Sequence, residues 1–236
     1  MTNGKYIYFF VKEKKGGLLK FSYDRKLGIY YKILRGEKWS EEKGVFKDSF
    51  EYFYVLEDER GIINLFCQDI SGDIILCKLE NEKWTYKTLL YMKNQVITPI
   101  KMKAFISKDA INLMYNIVSQ SSNLEILVHQ IVNSEIEYSY PQIVFEKEYK
   151  SYLYSYEENN IILSSIKVGS QYQIVSRKLN NMDRKFEKEE VIDKSKISYI
   201  DFSFLINENK KHYLFVDEKE KIKVIITNDQ KEVKIP

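Results

Sequence analysis

The sequence predicts an all-β chain in which one four-stranded unit is repeated five times. Composition points there first. With 19 tyrosines, 13 phenylalanines and abundant isoleucine, the 236 residues suit pleated, half-buried strands, and alanine is almost absent. A worn internal repeat points there next. Third, each repeat breaks into four short apolar runs separated by polar or glycine turns. Part of the richness in Lys, Ile, Asn, Tyr and Glu also fits an AT-rich bacterial genome.

The repeat is clearest where Glu37-Lys38-Trp39-Ser40 returns as Glu82-Lys83-Trp84-Thr85. Upstream of each, a glycine (Gly28, Gly72) opens an apolar run. Ile63-Asn64-Leu65-Phe66 then recurs as Ile111-Asn112-Leu113-Met114, Ile161-Ile162-Leu163-Ser164 and His212-Tyr213-Leu214-Phe215. The tryptophan position continues as Ile136, Phe186 and Val233. Five units follow, near 1–47, 48–95, 96–145, 146–194 and 195–236. In the second, strands are expected at about 50–57, 62–69, 73–80 and 84–91; in the third, at about 100–107, 111–118, 124–132 and 136–144. Only Gly169 lies beyond residue 72 among the nine glycines, so later turns must use Asn, Asp and Ser. The last repeat reaches its fourth strand only at 231–235, which would close it in a short form unless residues 1–4 help or the natural chain continues.

Four antiparallel strands per 40–50 residues resembles the β-propeller class, whose blades bury their faces by stacking against one another in a ring. The resemblance covers the whole chain and implies a five-bladed β-propeller; a truncated larger propeller and a β-sandwich are the alternatives. The repeat length is similar to that of five-bladed lectins of the tachylectin kind. The Gly-His and Trp-Asp pairs of WD repeats and the aspartate box of sialidases are missing.

Charge narrows the function. The 37 basic and 34 acidic residues give a net charge of +3 with both signs interleaved, so no basic tract suggests nucleic-acid binding. Arg25, Arg35, Arg60, Arg177 and Arg184 are the only arginines, which disfavours sites built on bidentate forks. The N-terminal apolar run is too short for a signal peptide or a membrane span, so a cytoplasmic protein without membrane insertion is expected. Cys67 and Cys77 lie on the two arms of a hairpin and would face each other if its turn centred on Gly72. In the cytoplasm, two buried reduced thiols are expected there. His129 and His212 have no acidic or cysteine neighbours in sequence reach, and no metal or cofactor is implied.

The propeller resemblance would line a central channel with the first strand of each repeat. Those strands start at Lys5, Glu51, Lys101, Lys150 and Asp201. Alternation is expected to turn these residues and every second one after them to the channel, and the intervening Tyr6-Tyr8-Phe10 and its equivalents to the core. That register sets a charged ring of five at one rim, either a salt-bridged plug or a polar site for a small anionic or sugar-like ligand. The ring offers two carboxylates where five-bladed glycosidases use three, and lysine neighbours would hold both pKa values down, against a general acid. No catalytic residues are therefore assigned. Trp39 and Trp84 pack between blades or stack on sugars. The resulting expectation is a non-catalytic binding or scaffold module that meets a protein partner through a loop-rich face. A carbohydrate-binding propeller is the alternative, and a glycoside hydrolase comes third.

Overall fold

Runs rich in β-branched and aromatic residues, punctuated by aspartate and glycine, form strands throughout. The computed structural model describes residues 8–13, 16–92, 99–107, 110–119, 124–132, 141–148, 154–157, 161–180, 185–207, 210–228 and 231–235. Among them five sheets form, each from consecutive strands. The first contains β1 (Phe9–Lys12), β2 (Leu18–Asp24), β3 (Gly28–Arg35), β4 (Lys38–Trp39) and β5 (Lys43–Phe46). The second contains β6 (Ser49–Glu57), β7 (Ile63–Asp69), β8 (Ile74–Glu80) and β9 (Lys83–Leu90). The third contains β10 (Met102–Ser107), β11 (Ala110–Ser119), β12 (Leu124–Val132) and β13 (Gln142–Glu148). The fourth contains β14 (Tyr154–Glu157), β15 (Ile161–Val168), β16 (Gln171–Asn180), β17 (Lys185–Phe186) and β18 (Glu190–Ser195). The fifth contains β19 (Tyr199–Asn207), β20 (Lys210–Asp217), β21 (Ile222–Asn228) and β22 (Lys231–Ile235).

The outer position of the first and fourth sheets is split in two. Both β4 and β5 pair with β3, and both β17 and β18 pair with β16. In the first sheet Ser40 spans the break: its backbone N–H donates to Ile33 O at 2.8 Å and its hydroxyl accepts from Ile33 N–H at 3.0 Å. In the fifth sheet β22 pairs with β21, so the last short segment does complete a fourth strand.

Two compact units divide the chain, one of residues 1–120 and 126–143, the other of 121–125 and 144–236. In the first unit the second sheet is buried on both faces. Phe53, Val55, Leu65, Cys67, Ile75 and Cys77 pack with Leu19, Phe21, Ile29 and Tyr31 of the first sheet. Phe66, Ile74 and Leu76 pack with Met102, Leu113 and Tyr115 of the third, and Tyr54 and Leu56 join them. Strands covered on both sides read as continuous apolar runs rather than alternating ones. That is why Ile62–Cys67 and Ile74–Cys77 stand out in the sequence.

This packing corrects two expectations. In β1 and β6 the innermost strand departs from the expected register, whereas in β10 and β19 the expected core side holds, with Met102, Ala104 and Phe202 buried and Lys101, Asp201 and Ser203 exposed. Phe53 and Val55, placed on the channel side, belong to one core, and Tyr54 and Leu56 belong to the other. In β1 it is Phe9 and Val11 that meet the core, and Phe10 that is exposed. The second sheet buries both faces, so alternate residues of β6 go to two different neighbours. The cysteines are also displaced. The turn pairs Gln68 with Ile74, so Cys67 lies opposite Ile75 and Cys77 opposite Leu65. The turn is held by Asp69, which accepts from Ser71 N–H and Asp73 N–H at 2.9 Å each, and that shifts its centre to Ser71. The thiols are diagonal neighbours on one face, buried and reduced. The Cys67 pKa is pushed well up, first by a hydrogen bond with Cys77 and then by burial.

In the second unit the fourth and fifth sheets share a core of Ile174, Tyr199, Phe202, Tyr213, Phe215 and Ile225. Beside it, buried Asp193 accepts from Tyr199 OH at 2.7 Å and pairs with Lys223 Nζ at 2.6 Å. Burial and then this carboxylate push the Tyr199 phenol up, so it remains a donor.

Candidate functional site

Alternation in the first sheet sends Leu19, Phe21, Ile29, Tyr31 and Ile33 into the core. The intervening side chains Lys20, Ser22, Tyr30 and Lys32 therefore fall on the opposite face. Together with Phe10 and Trp39 they line a cleft of about 280 Å³. Phe10 is 59% exposed, Trp39 42% and neighbouring Tyr8 45%, so large rings meet solvent around a polar floor. The pairing explains the grouping. Phe10 lies directly opposite Lys20, Lys20 opposite Lys32, and Ser22 opposite Tyr30. Trp39 enters from β4, opposite Leu34. The Lys20 ammonium sits 4.3 Å from the centre of the Tyr8 ring, and Lys32 Nζ lies 3.0 Å from Glu42. None of these six described lining residues is a carboxylate.

Trp84 is used differently. Its ring packs against the core between the first two sheets, edge-on to Tyr31 at 5.9 Å and to Phe21 at 6.3 Å. Two tryptophans at equivalent repeat positions thus have different surroundings: Trp84 is engaged in packing, and Trp39 is open to solvent.

Of the five proposed ring residues, Lys5 and Lys150 lie outside the described residues. Glu51 is exposed on β6, close enough to Tyr23 that it adds to the effect of burial in raising that phenol's pKa. Lys101 is exposed, with its ammonium 5.9 Å from the centre of the Tyr52 ring. Asp201 is exposed, and its Oδ1 accepts from Phe202 N–H at 2.8 Å. Glu51 and Asp201 share one local feature, since the register shifts between Ser49 and Phe53 and again between Tyr199 and Asp201. Among the described residues no group of three or more His, Cys, Asp or Glu could hold a metal ion. No described helix is long and apolar enough to cross a membrane.

Of the cleft residues the sequence singled out Trp39, for packing or stacking, and expected Phe10 in the core; it did not single out Lys20, Ser22, Tyr30 or Lys32. The available signal was the strict alternation of Leu19-Lys20-Phe21-Ser22 and Ile29-Tyr30-Tyr31-Lys32, which sets one aromatic and lysine-bearing face apart.

No protein-family model matches the sequence, and neither does any curated protein. Solved structures do match. The chain is similar to a mutant of the Aleuria aurantia lectin in complex with Fucα1-6GlcNAc, at 11% identity and a TM-score of 0.51, over 98% of this chain and 79% of that one. It is similar to an α-L-arabinofuranosidase from Fusarium graminearum, at 12% identity and a TM-score of 0.55, over 99% and 82%. It is also similar to the WD40 domain of SCAP from fission yeast, at 11% identity and a TM-score of 0.57, over 94% of this chain and 52% of that one. At such identities the likeness carries the fold alone, and the fold is all-β, built from four-stranded antiparallel sheets of the β-propeller type.

Proposed function

We propose that this protein is a non-catalytic binding domain that takes a sugar unit in the cleft on the face of its first sheet opposite the core shared with the second sheet. The observation carrying this reading is the set of rings, Phe10, Tyr30 and Trp39, around a small polar floor with a hydroxyl and two ammonium donors. Sugars present an apolar C–H face and a polar rim, and a site that combines a flat ring with a few placed donors suits both. The volume lies near the lower end of the ~300–1,000 Å³ usual for ligand sites. That suits one sugar of a chain rather than a large cofactor. Hydrolysis by the usual routes would need a pair of carboxyl groups flanking the bond, and the described lining residues include none. The lectin and the arabinofuranosidase among the similar structures are consistent with carbohydrate as the ligand class.

The test pairs the two tryptophans on a glycan array and in urea melts. Trp39→Ala should abolish saccharide binding and change stability by less than about 1 kcal/mol, as for an exposed position. Trp84→Ala should destabilise by about 3–5 kcal/mol through a core cavity. Wild-type protein that binds no saccharide, or a Trp39→Ala variant that binds as wild type does, would sink the reading.

A second reading, a protein partner, draws on Leu27 and Ile70. Both are exposed, each in the turn joining the middle strands of its sheet. A partner lost in Leu27→Ser/Ile70→Ser protein while saccharide binding persists would add that function.

A further inference from the structure

We infer that the sugar recognised by this cleft is anionic, carrying a carboxylate or a sulfate that lies between Lys20 and Lys32. This deepens the proposed sugar site and rests on it. The two lysines are directly opposed on neighbouring strands. Like charges facing each other across a sheet repel, so the arrangement needs compensation. Among the described residues the compensation is incomplete. Glu42 pairs with Lys32 at 3.0 Å, and both side chains remain partly exposed. Lys20 is offered the face of Tyr8 at 4.3 Å, a contact that attracts the cation yet leaves its N–H donors free to point at an acceptor. Among the described residues one carboxylate therefore stands against two ammoniums, and none of the described lining residues is a carboxylate.

The aromatic partners make the missing anion part of a sugar. Phe10 lies opposite Lys20 in the same cross-strand row, and Trp39 closes the cleft from β4. A ring stacked on these side chains holds its acidic substituent over the lysine pair. Lysines suit this task, being compact point charges that each direct donors at a single oxygen, whereas an arginine fork favours planar bidentate contact. The interleaved charge elsewhere in the sequence gives no track for a polyanionic backbone, so an acidic saccharide fits better than a nucleic acid.

The experiment uses the full chain and three probe sets in titration calorimetry: oligogalacturonates, sulfated heparin-derived oligosaccharides and neutral cello-oligosaccharides, with single-stranded oligonucleotides as a fourth arm. One anionic set should bind at least about tenfold tighter than the neutral set, the scale of one charge-assisted hydrogen bond. Which set does so distinguishes carboxylate from sulfate. Raising the salt from ~50 to ~500 mM should erode the preference, because these charges are partly exposed. Lys20→Met should bring anionic and neutral sugars to similar affinity, and Trp39→Ala should abolish both. An unchanged urea midpoint for Lys20→Met would show that the loss is not unfolding. Equal or tighter binding of the neutral set overturns the anionic assignment while the sugar site survives. Tighter binding of oligonucleotides overturns it in favour of nucleic acid. Failure of every saccharide to bind removes the sugar site and the inference together.

Discussion

His129 is fully buried on β12, and its Nε2 lies 2.8 Å from Asn112 Oδ1. The Asn112 amide donates to Ala110 O at 3.3 Å, which leaves Oδ1 as the acceptor and assigns the imidazole proton to Nε2. Asn64, its counterpart in the preceding repeat, donates in the same way to Ile62 O at 3.0 Å. The recurring asparagine thus satisfies a backbone carbonyl inside each of these two sheets. Burial lowers the His129 pKa to about 4. In the unfolded chain the group titrates near ~6.5, so between these values the unfolded state binds more protons. Stability should therefore fall as pH drops from about 6.5 to about 4, by up to about 3 kcal/mol from this residue. Urea melts of wild type and His129→Gln at several pH values check this through their difference, which cancels the carboxylates common to both. If that difference stays flat across the window, the histidine is not held neutral by burial.

At the scale of elements, turns govern register, and Gly28 shows how. It begins β3 with φ of +72°, and a Cβ there would collide with the carbonyl oxygens of Phe46 and Lys47, backbone of the paired outer strand and its end. Gly36 also has a positive φ, +64°, but opens onto empty space. Gly28→Ala should cost about 2–5 kcal/mol, combining backbone strain with overpacking. Gly36→Ala should cost about 1 kcal/mol, from strain alone. Comparable urea midpoints for the two variants would refute the role given to close approach. Such turns are also what made the strands readable. In the second repeat the expected runs 50–57, 62–69, 73–80 and 84–91 match β6 to β9 within a residue or so, because Asp58, Asp69 and Gly72 bound them. The outer strands were harder. In the third repeat a strand expected over 136–144 overlaps Gln142–Glu148, residues 136–140 lying outside the described residues, and in the first repeat the outer position is split around Ser40. Outer strands carry fewer core contacts, so their alternation is weak. The cleft was only half legible, for a related reason. Lys20, Ser22, Tyr30 and Lys32 resemble any solvated strand face until the pairing of β1 to β4 sets Phe10 and Trp39 beside them.

Across the first unit as a whole, burial is unequal, and that inequality sets where the fold opens. The second sheet lies between two cores, so β7 and β8 hold Leu65, Phe66, Cys67, Ile74, Leu76 and Cys77 almost without exposure. Opening these strands requires both cores to separate, whereas the two-residue β4, exposed at both positions, can part from β3 with little loss of apolar contact. Local opening free energies range from near zero at frayed edges to the full unfolding free energy in such central strands. Hydrogen exchange should therefore find the slowest amides of this unit in Ile63–Asp69 and Ile74–Glu80 and much faster exchange across Lys38–Trp39. Denaturant should shift the slow set in step with global unfolding and leave the fast set nearly unchanged, because only the slow set waits on exposure of the cores. If β4 proved as protected as β7, its edge would have to be covered by something beyond its pairing with β3. The openness of the cleft beside Trp39 would then have to be reconsidered with it.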